Sequence, residues 1–312
     1  MILHLTPNVR WALVGLVGVL LLASLAVWLI AASRRDKDYT DLKLRTRSWW
    51  VMIGIFVGAM LLSPSASVVL FAFISFLALK EYLSLIPTRR ADRRVLFWAY
   101  LAIPLHYYWV ETAWYGMFII FIPVYMFLLL PLRMVIIGET EGFLRAAGTL
   151  HWGMMTTVFS LSHMAFLLVL PAANNPAGGG AGLMLYLVFL TQFNDVAQYT
   201  WGKLFGKHKV IPKVSPKKTW EGLLGGIFTT LILAVLIAPY LTPLSLPEAA
   251  GAGFIIAGFG FIGDVTISAL KRDLGVKDSG SLLPGHGGIL DRIDSLTYTA
   301  PLFFHYIYFL HY

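Results

Sequence analysis

Long apolar runs alternate with short polar connectors along the whole chain, at the spacing of membrane-crossing helices rather than of strands or of helices with one wet face. A bilayer core is crossed by roughly 17 to 25 helical residues, fewer where an end is buried in protein. Runs of that kind are predicted at 12–32, 49–63, 65–86, 95–111, 114–136, 150–171, 182–201, 222–241, 249–269 and 295–310. The second and third are separated only by Ser63-Pro64-Ser65, which predicts a tight helical hairpin. The first run is too long for the core of a cleavable signal, and Arg10 is the only Lys or Arg before it, so it is expected to be a retained helix. No heptad pattern and no internal repeat is visible. The expected fold is an all-α polytopic integral membrane protein with about ten transmembrane helices.

Composition agrees with that pattern. Of 312 residues 58% are hydrophobic and 13% charged, the charged share being about half the ~25% of globular proteins, and mean hydropathy is +0.74. A soluble enzyme, a disordered chain and a nucleic-acid-binding domain are excluded as descriptions of the whole chain. The absence of cysteine removes disulfides, a thiolate nucleophile and thiolate-bound metals. The net charge of +8 is unevenly placed: 22 of the 24 lysines and arginines fall in the segments 33–47, 87–94, 133–147, 202–220 and 270–292. Threading ten helices in order puts all five segments on one side, and the connectors at 63–65, 112–113, 172–181 and 242–248 hold none. Basic loops face the cytoplasm, so both termini are expected outside and the polar loops that could carry catalysis inside.

Two cytoplasmic segments are richer in polar residues than a connector requires. The first runs from Asn194-Asp195 to Gly222 and ends in Ser215-Pro216-Lys217-Lys218-Thr219-Trp220-Glu221-Gly222. Its six lysines read either as a basic patch against anionic headgroups or as a phosphate site, placed just before a helix whose free N–H groups favour anions. The second begins at Gly263-Asp264 and continues through Ser268, Lys271-Arg272, Lys277-Asp278, Pro284-Gly285-His286-Gly287-Gly288 and Asp291-Arg292-Ile293-Asp294-Ser295. Asp264 lies inside the cytoplasmic end of an apolar helix, where an unpaired carboxylate is costly and needs a cation. Ser268 and Lys271 share its face, and Asp291, Asp294 and Ser295 are spaced to share another at the start of the last helix. Carboxylates grouped with lysines and glycines suit a Mg²⁺-dependent phosphate reaction; the plainer alternative is a set of interfacial salt bridges, and His286 taken alone reads as a structural histidine. Pro284 to Gly288 has no evident packing role.

The run Ser268-x-x-Lys271-Arg272-x4-Lys277-Asp278-x-Gly280-x3-Pro284-x-His286-Gly287-Gly288-x-x-Asp291-Arg292-x-Asp294 resembles the signature of phosphatidate cytidylyltransferases, the CDP-diacylglycerol synthases. Asp195-x3-Tyr199-x2-Gly202-x3-Gly206 and the segment from Ser215 to Gly222 resemble a second block of that family. The likeness covers about 180–312, which implies a catalytic region at 181–312 behind a scaffold of about six helices at 1–180. It further implies condensation of CTP with phosphatidic acid to CDP-diacylglycerol and pyrophosphate, with Mg²⁺ on Asp264, Asp291 and Asp294 and room for a second cation. Lys217, Lys218, Lys271 and Arg272 would then meet phosphates, and His286, Gly287 and Gly288 would position nucleotide or pyrophosphate. Ser215, Asp195, Lys277, Asp278 and Arg292 complete the expected substrate-binding set. The implied partners are CTP, phosphatidic acid and membrane lipids, without nucleic acid, in a bacterial cytoplasmic membrane; a homodimer is compatible.

Two positions depart from the family pattern. Ile267 stands where a glutamate is common, and Gln198 where a small residue is common; both are expected near the metal site and point to a paralogue with a shifted lipid acceptor. The competing readings are a CTP-dependent enzyme acting on another lipid phosphate or a polyprenol, a lipid-binding paralogue without catalysis, and an anion transporter using Asp195 and Asp264.

Overall fold

The computed structural model describes residues 4–33, 38–89 and 92–312. Arg34, Arg35, Lys37 and Arg90, counted above with the basic connectors, lie outside the described residues. The described chain is helical, its only extended pairings being isolated bridges at Lys209–Thr219 and Leu283–Gly287. In chain order the helices are α1 (Pro7–Ser33), α2 (Thr40–Leu62), α3 (Pro64–Leu85), α4 (Arg93–Glu111), α5 (Tyr115–Ile137), α6 (Phe143–Val169), α7 (Gly179–Phe205), α8 (Trp220–Leu241), α9 (Leu246–Asp273), α10 (Leu290–Ile293) and α11 (Leu296–His311).

Six of these, α1, α3, α5, α6, α8 and α9, are long and apolar enough to cross a membrane. The other four expected spans are helices that fall short of that criterion for visible reasons. Asp41, Lys43, Arg45 and Arg47 occupy the start of α2, α4 carries two arginines and Glu111, α7 is interrupted by Asn194, Asp195 and Gln198, and α11 has 16 residues. Helix ends follow local chemistry. Ser63 is extended (φ −171°, ψ 163°), its Oγ accepts from Ala66 N at 3.0 Å, and Pro64 opens α3, giving the expected hairpin. A capping box of Ser245 and Glu248 starts α9. Within α5 a π-bulge falls at Phe121–Met126, where Pro123 supplies no N–H.

Three boundaries alter the expected layout. Helix α7 runs past its expected span at both ends, to Gly179 and Phe205, so the first part of the expected polar loop, 202–205, is helical and Asn194 and Asp195 stay inside the helix, as its span predicts. Asn194 is fully buried and ties three helices, donating to Ala257 O at 3.2 Å and accepting from Thr230 Oγ1 at 3.2 Å. Helix α2 begins nine residues before its expected span, which carries Arg45, Ser48 and Trp49 out to the loop after α9. The expected single start of the last helix is broken by a turn at Asp294–Ser295, so Asp291 belongs to the short α10 and faces different partners from Asp294. The apolar core runs through α3, α6, α7 and α11, while α1 turns Trp11, Leu22 and Trp28 outward, as a lipid-facing helix does.

Candidate active site

One cavity of about 670 Å³ opens among the ends of α7, α8, α9 and α10 and the two polar loops that follow α7 and α9. Of the site residues expected from sequence, Asp195, Ser215, Lys217, Lys218, Asp264, Lys271, Asp278, His286, Asp291, Arg292 and Asp294 line it. Gln192, Gln198, Tyr199, Lys203, Lys209 and Thr219 join them.

Its first centre is a group of carboxylates. Lys218 Nζ meets Asp264 Oδ2 at 2.6 Å, supplying the cation that an aspartate so placed requires. Ser268, one turn along α9, donates to Asp264 Oδ1 at 3.2 Å, as their shared face predicts. Ser295 Oγ reaches both oxygens of Asp195 at 3.3 and 3.4 Å, and Asp294 Oδ1 accepts from Ser295 N at 2.7 Å. Burial, reinforced by the negative charges of Asp264 and Asp195, pushes the Asp294 carboxyl up to about 8. Helix α9 approaches this turn so closely that a Cβ on Gly263 would collide with Asp294 O. The glycine preceding Asp264 is what allows the approach.

The second centre is Asp291, whose two oxygens are fully engaged. Oδ1 meets Lys271 Nζ at 2.6 Å, and Oδ2 accepts from Ser279 N, Ser279 Oγ and Gly288 N at 2.9, 2.9 and 3.1 Å. Burial alone would raise this carboxyl; the Lys271 ammonium and the two backbone N–H groups outweigh it and hold Asp291 below the ordinary carboxylate value. Ser279 Oγ also lies 2.6 Å from Glu81 Oε1, so one hydroxyl proton is shared between two carboxylates. Glu81, on α3, further accepts from Ile289 N at 2.9 Å and Leu290 N at 3.0 Å, closing the exposed start of α10. Gly288 packs directly on it. Sequence reasoning missed Glu81 although its signal was present: it is an acidic residue near the C-terminal end of a largely apolar run.

The remaining expected residues are more dispersed. Arg272 is exposed and bonds Val214 O and Val276 O, both at 3.3 Å, bracing the two polar loops against each other. Lys277 is exposed and lies outside the lining, as do half-buried Gly287 and buried Gly288. Contrary to expectation, Pro284 to Gly288 does have a packing role: Gly285 and Gly287 take φ of +75° and +80°, Gly285 lies against Arg45, and Ser48 donates to Pro284 O at 2.7 Å. His286 sits edge-on to Trp49 at 5.7 Å, and burial, with Arg292 nearby, lowers its basicity. The helix start after Lys218 is already capped, since Thr219 Oγ1 accepts from Gly222 N at 3.2 Å. Of the two departures, Gln198 lines the cavity, whereas Ile267 is 1% exposed and packed outside the lining. Among the described residues no three acidic or histidine side chains enclose an ion by themselves. Magnesium needs only one or two protein carboxylates beside phosphate oxygens and water, and the Asp264–Asp294 centre fits that demand.

A model of the cytidylyltransferase family matches residues 43–310, beyond the C-terminal stretch that carries the motifs. Over 298 residues, 95% of this chain and 97% of the other, the sequence is 47% identical to the Escherichia coli protein named uncharacterized protein YnbB. A Haemophilus influenzae phosphatidate cytidylyltransferase is 46% identical over 135 residues, 42% of this chain and 46% of that protein. A Staphylococcus aureus phosphatidate cytidylyltransferase is 42% identical over 124 residues, 39% and 48% of the two chains. The alignments with these two enzymes thus span under half of their length.

Proposed function

The chain belongs to the cytidylyltransferase family, and from that premise we propose that it condenses CTP with phosphatidic acid, releasing pyrophosphate and forming CDP-diacylglycerol. The observation that carries this reading is one cavity that gathers lysines from the loop after α7 and from the end of α9 around two separate carboxylate centres. An oxygen of the lipid phosphate bonds to the α-phosphorus of CTP as the bond from that phosphorus to the bridging oxygen of the β-phosphate breaks. The nucleophile is already an anion, so the protein needs no general base; it must orient two negative reactants and screen their charge. Lys218 and Lys271 stand on opposite carboxylate centres and are placed to meet phosphate oxygens, with Lys209, Lys217 and Arg292 along the same wall. A magnesium ion held by Asp264 and Asp294 would stabilise charge on the attacked and leaving phosphates. Asp291, also expected as a ligand, would have to exchange Lys271 for the ion.

We further propose ten spans, α2, α4, α7 and α11 completing the six long apolar helices, with the cavity on the cytoplasmic face of a bacterial inner membrane. The test is pyrophosphate release by detergent-purified protein given CTP, Mg²⁺ and dioleoyl phosphatidate, with Asp291→Asn as control. Release that needs all three components and is lost in the variant is expected; a folded wild-type protein that releases none overturns the activity.

A further inference from the structure

Gln198 faces the cavity from α7, one turn beyond Asp195, and is only 4% exposed. The two ends of its amide have different surroundings. Oε1 accepts from Lys218 Nζ at 3.3 Å, while Nε2 is buried with no hydrogen-bond partner among the described residues. A lysine can only donate, so the amide has one orientation, with oxygen toward Lys218 and both N–H groups left over. The stem of the side chain packs closely on α8, where a Cβ on Gly226 would collide with the Gln198 Cγ. The neighbouring carboxylates are otherwise engaged, Asp195 by Ser295 and Asp264 by Lys218 and Ser268. Buried donors in folded proteins find acceptors. This one belongs to a residue that lines a cavity, and its acceptor is assigned to what enters there.

The rest of the lining says what kind of acceptor that is. Arg292, also lining the cavity, carries in its Nε a second buried donor without a partner among the described residues, and Lys209 and Lys217 add positive charge to the lining. Unpaired N–H groups beside ammonium groups match a ligand rich in anionic oxygens, that is, a phosphate. We propose that Gln198 is a substrate-binding residue whose Nε2 donates to a phosphoryl oxygen, so that the amide contributes to selecting which phosphate compound the cavity accepts. This rests on the reading of the cavity as a site of phosphate transfer. A nucleotide and a lipid phosphate offer the same oxygens, and the experiment separates them.

The informative variant is Gln198→Glu, which keeps an oxygen for Lys218 and replaces the N–H donors with a second, negative oxygen. Gln198→Met, apolar and of similar length, removes donor and acceptor together and serves should the glutamate variant not fold. Wild type and variants are titrated separately with CTP, ATP, pyrophosphate and micellar dioleoyl phosphatidate, each without the co-substrate so that nothing turns over. A binding loss of about tenfold or more in Gln198→Glu, with a smaller loss in Gln198→Met for the same ligand, is expected for a donor to a charged group. Loss confined to CTP, ATP and pyrophosphate assigns the contact to the nucleotide; loss confined to phosphatidate assigns it to the lipid. Binding within twofold of wild type for all four ligands in both folded variants overturns the proposal, and a water-bonded amide would give that result. A wild type that binds phosphates yet releases no pyrophosphate from CTP and phosphatidate overturns the proposed activity alone. One that binds none of the four overturns both.

Discussion

Asp294 lines the cavity beside two other carboxylates. Its carboxyl, pushed up to about 8 by burial and by two neighbouring carboxylates, is mostly protonated at neutral pH and ionises as pH rises through that value. A cation competes with that proton. Turnover is therefore expected to climb with pH between roughly 7 and 9, to shift that climb to lower pH as Mg²⁺ is raised, and to lose it in Asp294→Asn. A pH profile indifferent to Mg²⁺ concentration would remove Asp294 from the ion's surroundings. Asp264→Asn leaves Lys218 without its counter-ion and takes away a carboxylate proposed to hold the magnesium ion; turnover should fall by about 100-fold or more while the protein elutes and melts as a folded species. Wild-type rates in that variant would sink the assignment.

At the scale of elements, the loop after α9 depends on a helix from the other half of the chain. Glu81 receives Ser279 Oγ, Ile289 N and Leu290 N, and α2 adds Ser48 and the Trp49 ring. The N-terminal helices thus do more than support the membrane region: they hold the segment that orients Asp291. Glu81→Gln turns one of its two acceptor oxygens into a donor, which then faces the N–H of Ile289 or of Leu290. Amide exchange across 279–290 should speed up and turnover drop by about tenfold, since misplacing a catalytic segment costs rate, while the other helices keep their protection. Unchanged exchange in that loop would show that Glu81 does not hold it. At the other loop, Thr219→Ala removes the cap of α8 and should lower stability by about 1 kcal/mol, read as a small fall in melting temperature.

For the whole molecule, the arrangement of basic segments makes a directional prediction that a chain without cysteine is well suited to test. A single cysteine at exposed Lys213 should react with a membrane-impermeant maleimide only when the cytoplasmic face is open, and one at exposed Ala173 only from the opposite side. Labelling of both from the same side would break the ten-span threading. Lys218 with Asp264 and Lys271 with Asp291 are ion pairs with side chains mostly withdrawn from solvent, and such pairs are weak sources of stability. Their presence in one cavity fits a molecule that holds charge ready for an anionic ligand.

The sequence by itself determined the helical membrane class, the hairpin at Ser63-Pro64, the clustering of basic connectors and most of the residues around the cavity. These are local properties: an apolar run must bury its backbone as helix, and a dense pattern of acids, bases and glycines is visible wherever it occurs. Only the tertiary structure decided which charges meet. That Lys218 pairs with Asp264 and Lys271 with Asp291, that Asp294 parts from Asp291, that Glu81 reaches across about 200 residues of chain to Leu290, and that Gln198 lines the cavity while Ile267 does not are outcomes of packing between distant helices. Separation along a chain carries no record of such distances. The glycines from Gly285 to Gly288 show the same limit, because their use becomes visible only once Arg45 and Glu81 are seen against them.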